Sequence, residues 1–240
     1  MGMAGAAGLF LVLWWKHTEA TRLIPRDLRR AVPAECRQLI VVRPDTLHGV
    51  AARVWILKRK SDLHPWIIAG GPLAANVGRN GTAWGRDGSG MLNPGGYPEK
   101  QEGDGRSPAG VFPIPTAFGS SPEAPVGVRL PWLKCTDSLR GVDDVKSRYY
   151  NKIVDEAAIA DKDWDSAEIM HREDGLYEAG LVIGHNADRV PGAGSCIFLH
   201  IWKGPGQGTA GCTALAPGDV WKILTWLDPA REPRLVLGIP

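Results

Sequence analysis

The chain has 240 residues, 44% hydrophobic and 22% charged, which is enough apolar material for one large domain with a buried core. Twenty-eight Lys and Arg against 26 Asp and Glu leave a formal charge of only +2, so the strongly basic balance of a protein that binds nucleic acid by counterion release is excluded. Thirty glycines, nineteen prolines and ten tryptophans in short mixed segments predict a mainly β fold, mixed α+β, with a few short helices.

In chain order, "MGMAGAAGLFLVLWWKHTEA" opens with an apolar stretch from Ala4 to Trp15. It is short for a membrane span and of the length of a signal-peptide core, although Lys and Arg are missing before it. Residues 1–33 therefore read as a signal or anchor segment, processed near Ala20, followed by the basic linker "TRLIPRDLRRAVP"; a frayed terminus is the other reading. Any membrane association is expected through this segment only. Residues 34–240 are expected to form a single domain. "QLIVVRP" (38–44) and "GVAARVWILKR" (49–59) predict a hairpin, and "PWIIAGGPLAANVGRNGTAWG" a further strand with Asn80-Gly81 as a turn.

The Gly- and Pro-rich residues 87–113 predict a long exposed loop, and its part from Glu102 to Phe112 is expected to border a functional cleft. Residues 139–164 lack clear periodicity and predict only short turns. Strands are predicted in 175–186, 195–202 and at the closing "RLVLGIP". One helix is predicted from Val220, Ile223, Leu224 and Leu227 at i, i+3, i+4, i+7, with Pro217 at its first position.

Four cysteines, Cys36, Cys135, Cys196 and Cys212, show no CxxC spacing, so neither a zinc ribbon nor a thioredoxin motif is supported, and whether any disulfide forms stays open. Alternation along 195–202 sends Ile197, Leu199 and Ile201 to one face and Cys196, Phe198, His200 and Trp202 to the other. The flexible "KGPGQGTAG" (203–211) lets the chain turn back and bring Cys212 beside His200. A thiolate is the nucleophile of such a pair, and an imidazole in reach takes its proton and stabilises it as imidazolium. The N–H groups of the turn at Ala210, Gly211 and Cys212 are natural oxyanion donors. His185, Asn186, a nearby Ser or Thr, or a backbone carbonyl could orient His200. The competing reading is a packed histidine and an inert, buried thiol. Gly204, Gly206 and Gly208 lack the spacing of a phosphate loop.

"GSCIFLHIW" followed by "TAGCTAL", in which Thr209, Ala210, Gly211 and Cys212 match an [S/T]-x-G-C stretch, resembles the signature of the YkuD-type L,D-transpeptidases, in particular their ErfK/YbiS-like branch. "EGDGRSPAGVF" (102–112) resembles that family's D-G-x-[ST]-P-x-G-x-F loop, and "VDDVKSRYYN" and "DWDSAEIM" resemble further segments of the branch. Many members carry an arginine two residues after the nucleophile; here that position is Ala214. The resemblance implies a YkuD-like β-sandwich or curled sheet and cysteine acyl transfer on peptidoglycan stem peptides, donor and acceptor. Cys212 would be the nucleophile, His200 the base and Gly211 an oxyanion donor, while Arg106, Ser107, Trp202, Thr209, Ala210, Thr213, His185 and Asn186 would border the substrate. No metal and no organic cofactor is expected, and the place of action would be the periplasm or cell envelope. Two rivals stand beside it: an L,D-carboxypeptidase or amidase of the same fold, and a non-catalytic wall-binding domain.

Overall fold

Residues 38–42 are apolar or half-polar, rich in β-branched side chains and buried without a break, and such a run packs on both faces of a sheet. They form β1 (Gln38–Pro44), a central strand of the computed structural model, which describes residues 19–240. In chain order there follow β2 (Ala51–Lys58), β3 (Ile67–Asn76), β4 (Thr82–Trp84), β5 (Ser107–Pro113), β6 (Thr116–Gly119) and β7 (Trp132–Lys134). The second half supplies β8 (Leu139–Val142), β9 (Ile153–Asp155), β10 (Ala167–Ile169), β11 (Ala179–Val182), β12 (Phe198–Ile201), β13 (Thr213–Leu215), the helix α1 (Pro217–Trp226) and β14 (Arg234–Leu237). Among the described residues eleven strands make one curled sheet, in the order β4-β5-β14-β1-β2-β3-β13-β12-β11-β6-β7, and β10-β8-β9 make a second. The fold is mainly β with a few short helices.

The hairpin β1–β2 is antiparallel from Gln38↔Lys58 to Pro44↔Ala52, and Gly81 takes φ +83° in the turn before β4. Helix α1 begins on Pro217 and buries Val220, Ile223 and Leu224. It covers the sheet face that also buries Leu199, Ile201 and Leu215. The opposite face, at the β13-β12-β11-β6 end, carries a second apolar cluster of Phe118, Leu139, Met170, Tyr177, Phe198 and Cys212. The small sheet β10-β8-β9 contributes Leu139 to it, and Met170 follows β10 directly.

Three expectations change. The region after residue 20 is no free linker, because Ala20, Ile24 and Leu28 are buried in the main core and Arg26–Ala31 form a 3₁₀ turn. Its basic residues face outward while every fourth position is apolar, which docks it. The exposed loop ends at residue 106, since Ser107–Phe112 are buried and pair with β4 and β14. Residues 139–155 contain β8 and β9, whose few residues per strand show no period in sequence. The apolar segment from Ala4 to Trp15 lies outside the described residues.

Candidate functional site

The register of three strands decides which side chains meet. β12 and β13 run parallel with His200↔Ala214, and β11 lies antiparallel on the other side with Gly180↔His200 and Val182↔Phe198. Continuing the β12–β13 register one residue back sets Cys212 beside Phe198, and paired residues share a face. Cys212, Phe198 and His200 therefore project to the same side. His200 sits between Gly180 and Ala214, so its row holds no side chain larger than a methyl next to the imidazole. That vacancy is the physical counterpart of the alanine at 214.

A cavity of about 320 Å³ opens there, lined by Cys212, His200, Tyr177, Glu168, Arg172 and Ala210 among others. Tyr177 forms its wall: its ring meets His200 edge-on at 5.2 Å, Phe118 at 5.5 Å and Phe198 at 5.6 Å. Glu168 extends from β10 opposite Gly141, where a Cβ would come within 2.9 Å of Cys196 Sγ. The glycine lets the small sheet close against Cys196.

His200 is held by its own chain. Nδ1 lies 2.7 Å from the carbonyl oxygen of Ile201, and a carbonyl can only accept, so Nδ1 carries the proton. Nε2 then carries the lone pair and has no protein partner among the described residues. Of the orienting groups open in the sequence, the structure selects a backbone carbonyl. The Cys212 thiol accepts from Phe198 N–H at 3.3 Å and donates toward Cys196 O at 3.6 Å, so it makes no hydrogen bond to His200. Burial pushes this thiol up to about 12, with the charge of Glu168 adding to the effect and the Phe198 amide opposing it. Burial likewise pushes His200 down to about 4. The pair rests as neutral thiol and neutral imidazole, where the sequence suggested a thiolate and an imidazolium.

The turn before Cys212 is braced rather than open. Thr209 Oγ1 donates to Cys212 O at 2.6 Å and accepts from Gly211 N–H at 3.1 Å. Gly211, expected as an oxyanion donor, has its N–H engaged by Thr209, which braces the turn and also lines the cavity. Ala210 is exposed at the cavity. Segment 102–112 does lie against this turn: Ser107 Oγ donates to Cys212 O at 3.2 Å and accepts from Gly78 N–H at 2.9 Å. Ser107 is wholly buried, so it positions the turn and offers nothing to a ligand.

Five further expected site residues fall elsewhere. The Arg106 guanidinium reaches His48 and Thr82 O, and only its carbonyl approaches Gly211. Thr213, paired with Leu199, points to the α1 face because alternation reverses at each residue. Trp202 borders a separate surface hollow with Asp174 and Pro217. His185 and Asn186 serve another loop: His185 Nε2 donates to Ala193 O at 2.9 Å, and Asn186 binds Val190 O and Gly194 O at 3.0 Å each. Conversely, Glu168, Arg172, Tyr177 and Lys203 line the cavity although no spacing rule singled them out. Compared with models of known protein families, with curated proteins and with solved structures, the chain matches none.

Proposed function

We propose that this protein is a cysteine acyltransferase of the L,D-transpeptidase kind, acting on peptidoglycan stem peptides in the cell envelope. The observation that supports it is the convergence of Cys212 and His200 on one face of adjacent parallel strands, both lining one cavity, with the imidazole lone pair unspent. The motif resemblance at 194–215 and 102–112 names the chemistry, and the geometry is compatible with it.

In this reading His200 Nε2 takes the Sγ proton as the sulfur attacks the scissile carbonyl. Transfer within the cavity creates a thiolate beside an imidazolium, a compensated pair, which is how a buried site tolerates charge. The Ile201 carbonyl keeps the second proton of the imidazolium hydrogen-bonded throughout. Sγ must leave the Phe198 N–H to reach His200. The Cys212 N–H is the first oxyanion donor, and Gly211 N–H joins only if Thr209 releases it. His200 then protonates the leaving amine, and a thioester on Cys212 awaits a second stem peptide.

Mass spectrometry of muropeptides incubated with the purified protein tests this. Cross-linked dimers and a thioester adduct on the wild type, and neither with Cys212→Ala, are expected; products that persist in Cys212→Ala overturn the reading.

A further inference from the structure

Resting on the acyl-transfer reading, the geometry points to a further catalytic residue: we propose that Glu168 binds the attacking amine as its ammonium ion and accepts the first of its protons. The need for such a group follows from counting protons. An alkylamine arrives near neutrality as R–NH₃⁺ and must lose one proton to become a nucleophile and another after attack. His200, neutral again once the leaving group has departed, can take only one.

Glu168 is the carboxylate in the right place. It lines the cavity that holds Cys212 and His200, and its side chain is 31% exposed, so one edge faces the opening. Tyr177 hydroxyl donates to Glu168 Oε2 at 3.4 Å, fixing the carboxylate from the wall. Arg172, the nearby cation, stands 3.9 Å from Oε2 and is already engaged by Asp174 at 3.0 Å, so it leaves Glu168 capacity for a second cation. Partial burial, followed by the neighbouring charges of Asp143 and Glu102, holds the Glu168 carboxyl above its ordinary value, while Arg172 and Tyr177 oppose this. A carboxylate so placed is a stronger base than one in water.

The step balances. R–NH₃⁺ gives a proton to the Glu168 carboxylate, and the freed nitrogen lone pair forms the C–N bond at the thioester carbonyl. The second N–H proton passes to His200 Nε2. The tetrahedral adduct collapses, the C–S bond breaks with its electron pair on Sγ, and the His200 imidazolium reprotonates the sulfur. Glu168 returns its proton to solvent, giving amide, thiol and one H⁺. Water, being uncharged, loses only the proton that His200 takes, so hydrolysis has no use for Glu168.

The experiment measures how the Cys212 thioester partitions in the wild type and in Glu168→Gln, with muropeptide donor and either the muropeptide amine or hydroxylamine as acceptor. Hydroxylamine is largely uncharged near neutrality and needs no prior deprotonation. Expected for Glu168→Gln is a fall in the ratio of cross-linking to hydrolysis on the order of 10²-fold, with partition to hydroxylamine within about twofold of wild type, as expected when only the amine's proton acceptor is lost. An unchanged ratio, or an equal loss with hydroxylamine, overturns the role of Glu168 while leaving the thioester reading intact. Absence of any thioester in the wild type overturns both.

Discussion

His185 and His200 have much in common and differ in one respect. Both are buried, both are pushed down to about 4 by that burial, and both hydrogen-bond a backbone carbonyl. His185, however, has its two nitrogens committed: Nε2–H donates to Ala193 O, and Nδ1 accepts from Arg86 N–H at 3.3 Å. Its ring packs edge-on against Phe112 and closes off the 186–194 loop. His200 commits one nitrogen and keeps the other for the cavity. A shifted pKa therefore does not tell the two histidines apart; what differs is that His200 keeps one nitrogen unpaired in the cavity that Cys212 also lines. The cysteines repeat the lesson, for burial raises Cys36 and Cys135 to about 11 as well, yet of these three thiols Cys212 alone lines that cavity.

The sharpest way to break this comparison is to change each histidine to glutamine. His200→Gln is expected to slow thioester formation by about 10² to 10⁴, whereas His185→Gln retains the rate and lowers the melting temperature. Equal rate losses in both would place the chemistry elsewhere.

Acid unfolding comes next in size, and there the two histidines should act alike. With 6.5 as the ordinary value and about 4 in the folded chain, the unfolded chain takes up protons that the folded one refuses. The stability each contributes is complete above pH 6.5 and is lost as pH falls to about 4. The loss is up to about 3 kcal/mol per histidine. Denaturant unfolding at several pH values in this window should show a shallower decline in either glutamine variant; a slope identical to wild type sinks the assignment of neutral, buried imidazoles.

A smaller effect sharpens the account of why His200 has space. A Cβ at Gly180 would stand 2.4 Å from Phe118 Cζ, in the row that includes His200. Gly180→Ala should cost about 1–3 kcal/mol by overpacking, measured as a lowered denaturation midpoint. A neutral result would mean that Phe118 yields freely and that the row is not tightly packed.

What the sequence revealed follows from where period and polarity coincide. Alternation along 195–202 separated Leu199 and Ile201 from Phe198 and His200, and the two clusters of the structure keep that separation. The helical spacing of Val220, Ile223 and Leu224 marked the buried side of α1. The small sheet was illegible because β9 and β10 have three residues each, too few for a pattern, and Glu168 stands on one of them. Arg106 and Thr213 adjoin the motifs in sequence, but a strand turns each successive side chain through half a circle, so neighbours in the chain look opposite ways. The docking of Ile24 and Leu28 was hidden by the arginines between and around them.

One consequence of the resting thiol concerns durability. It is the thiolate form of a cysteine that attacks peroxides and disulfides, so its oxidation slows as the ionised fraction falls. A sulfur pushed up to about 12, enclosed by Phe198 and Tyr177, presents almost none of that form to solvent near neutrality. Under the proposed chemistry, the neutral pair would protect Cys212 from oxidants until a substrate carbonyl displaces Sγ from the Phe198 amide.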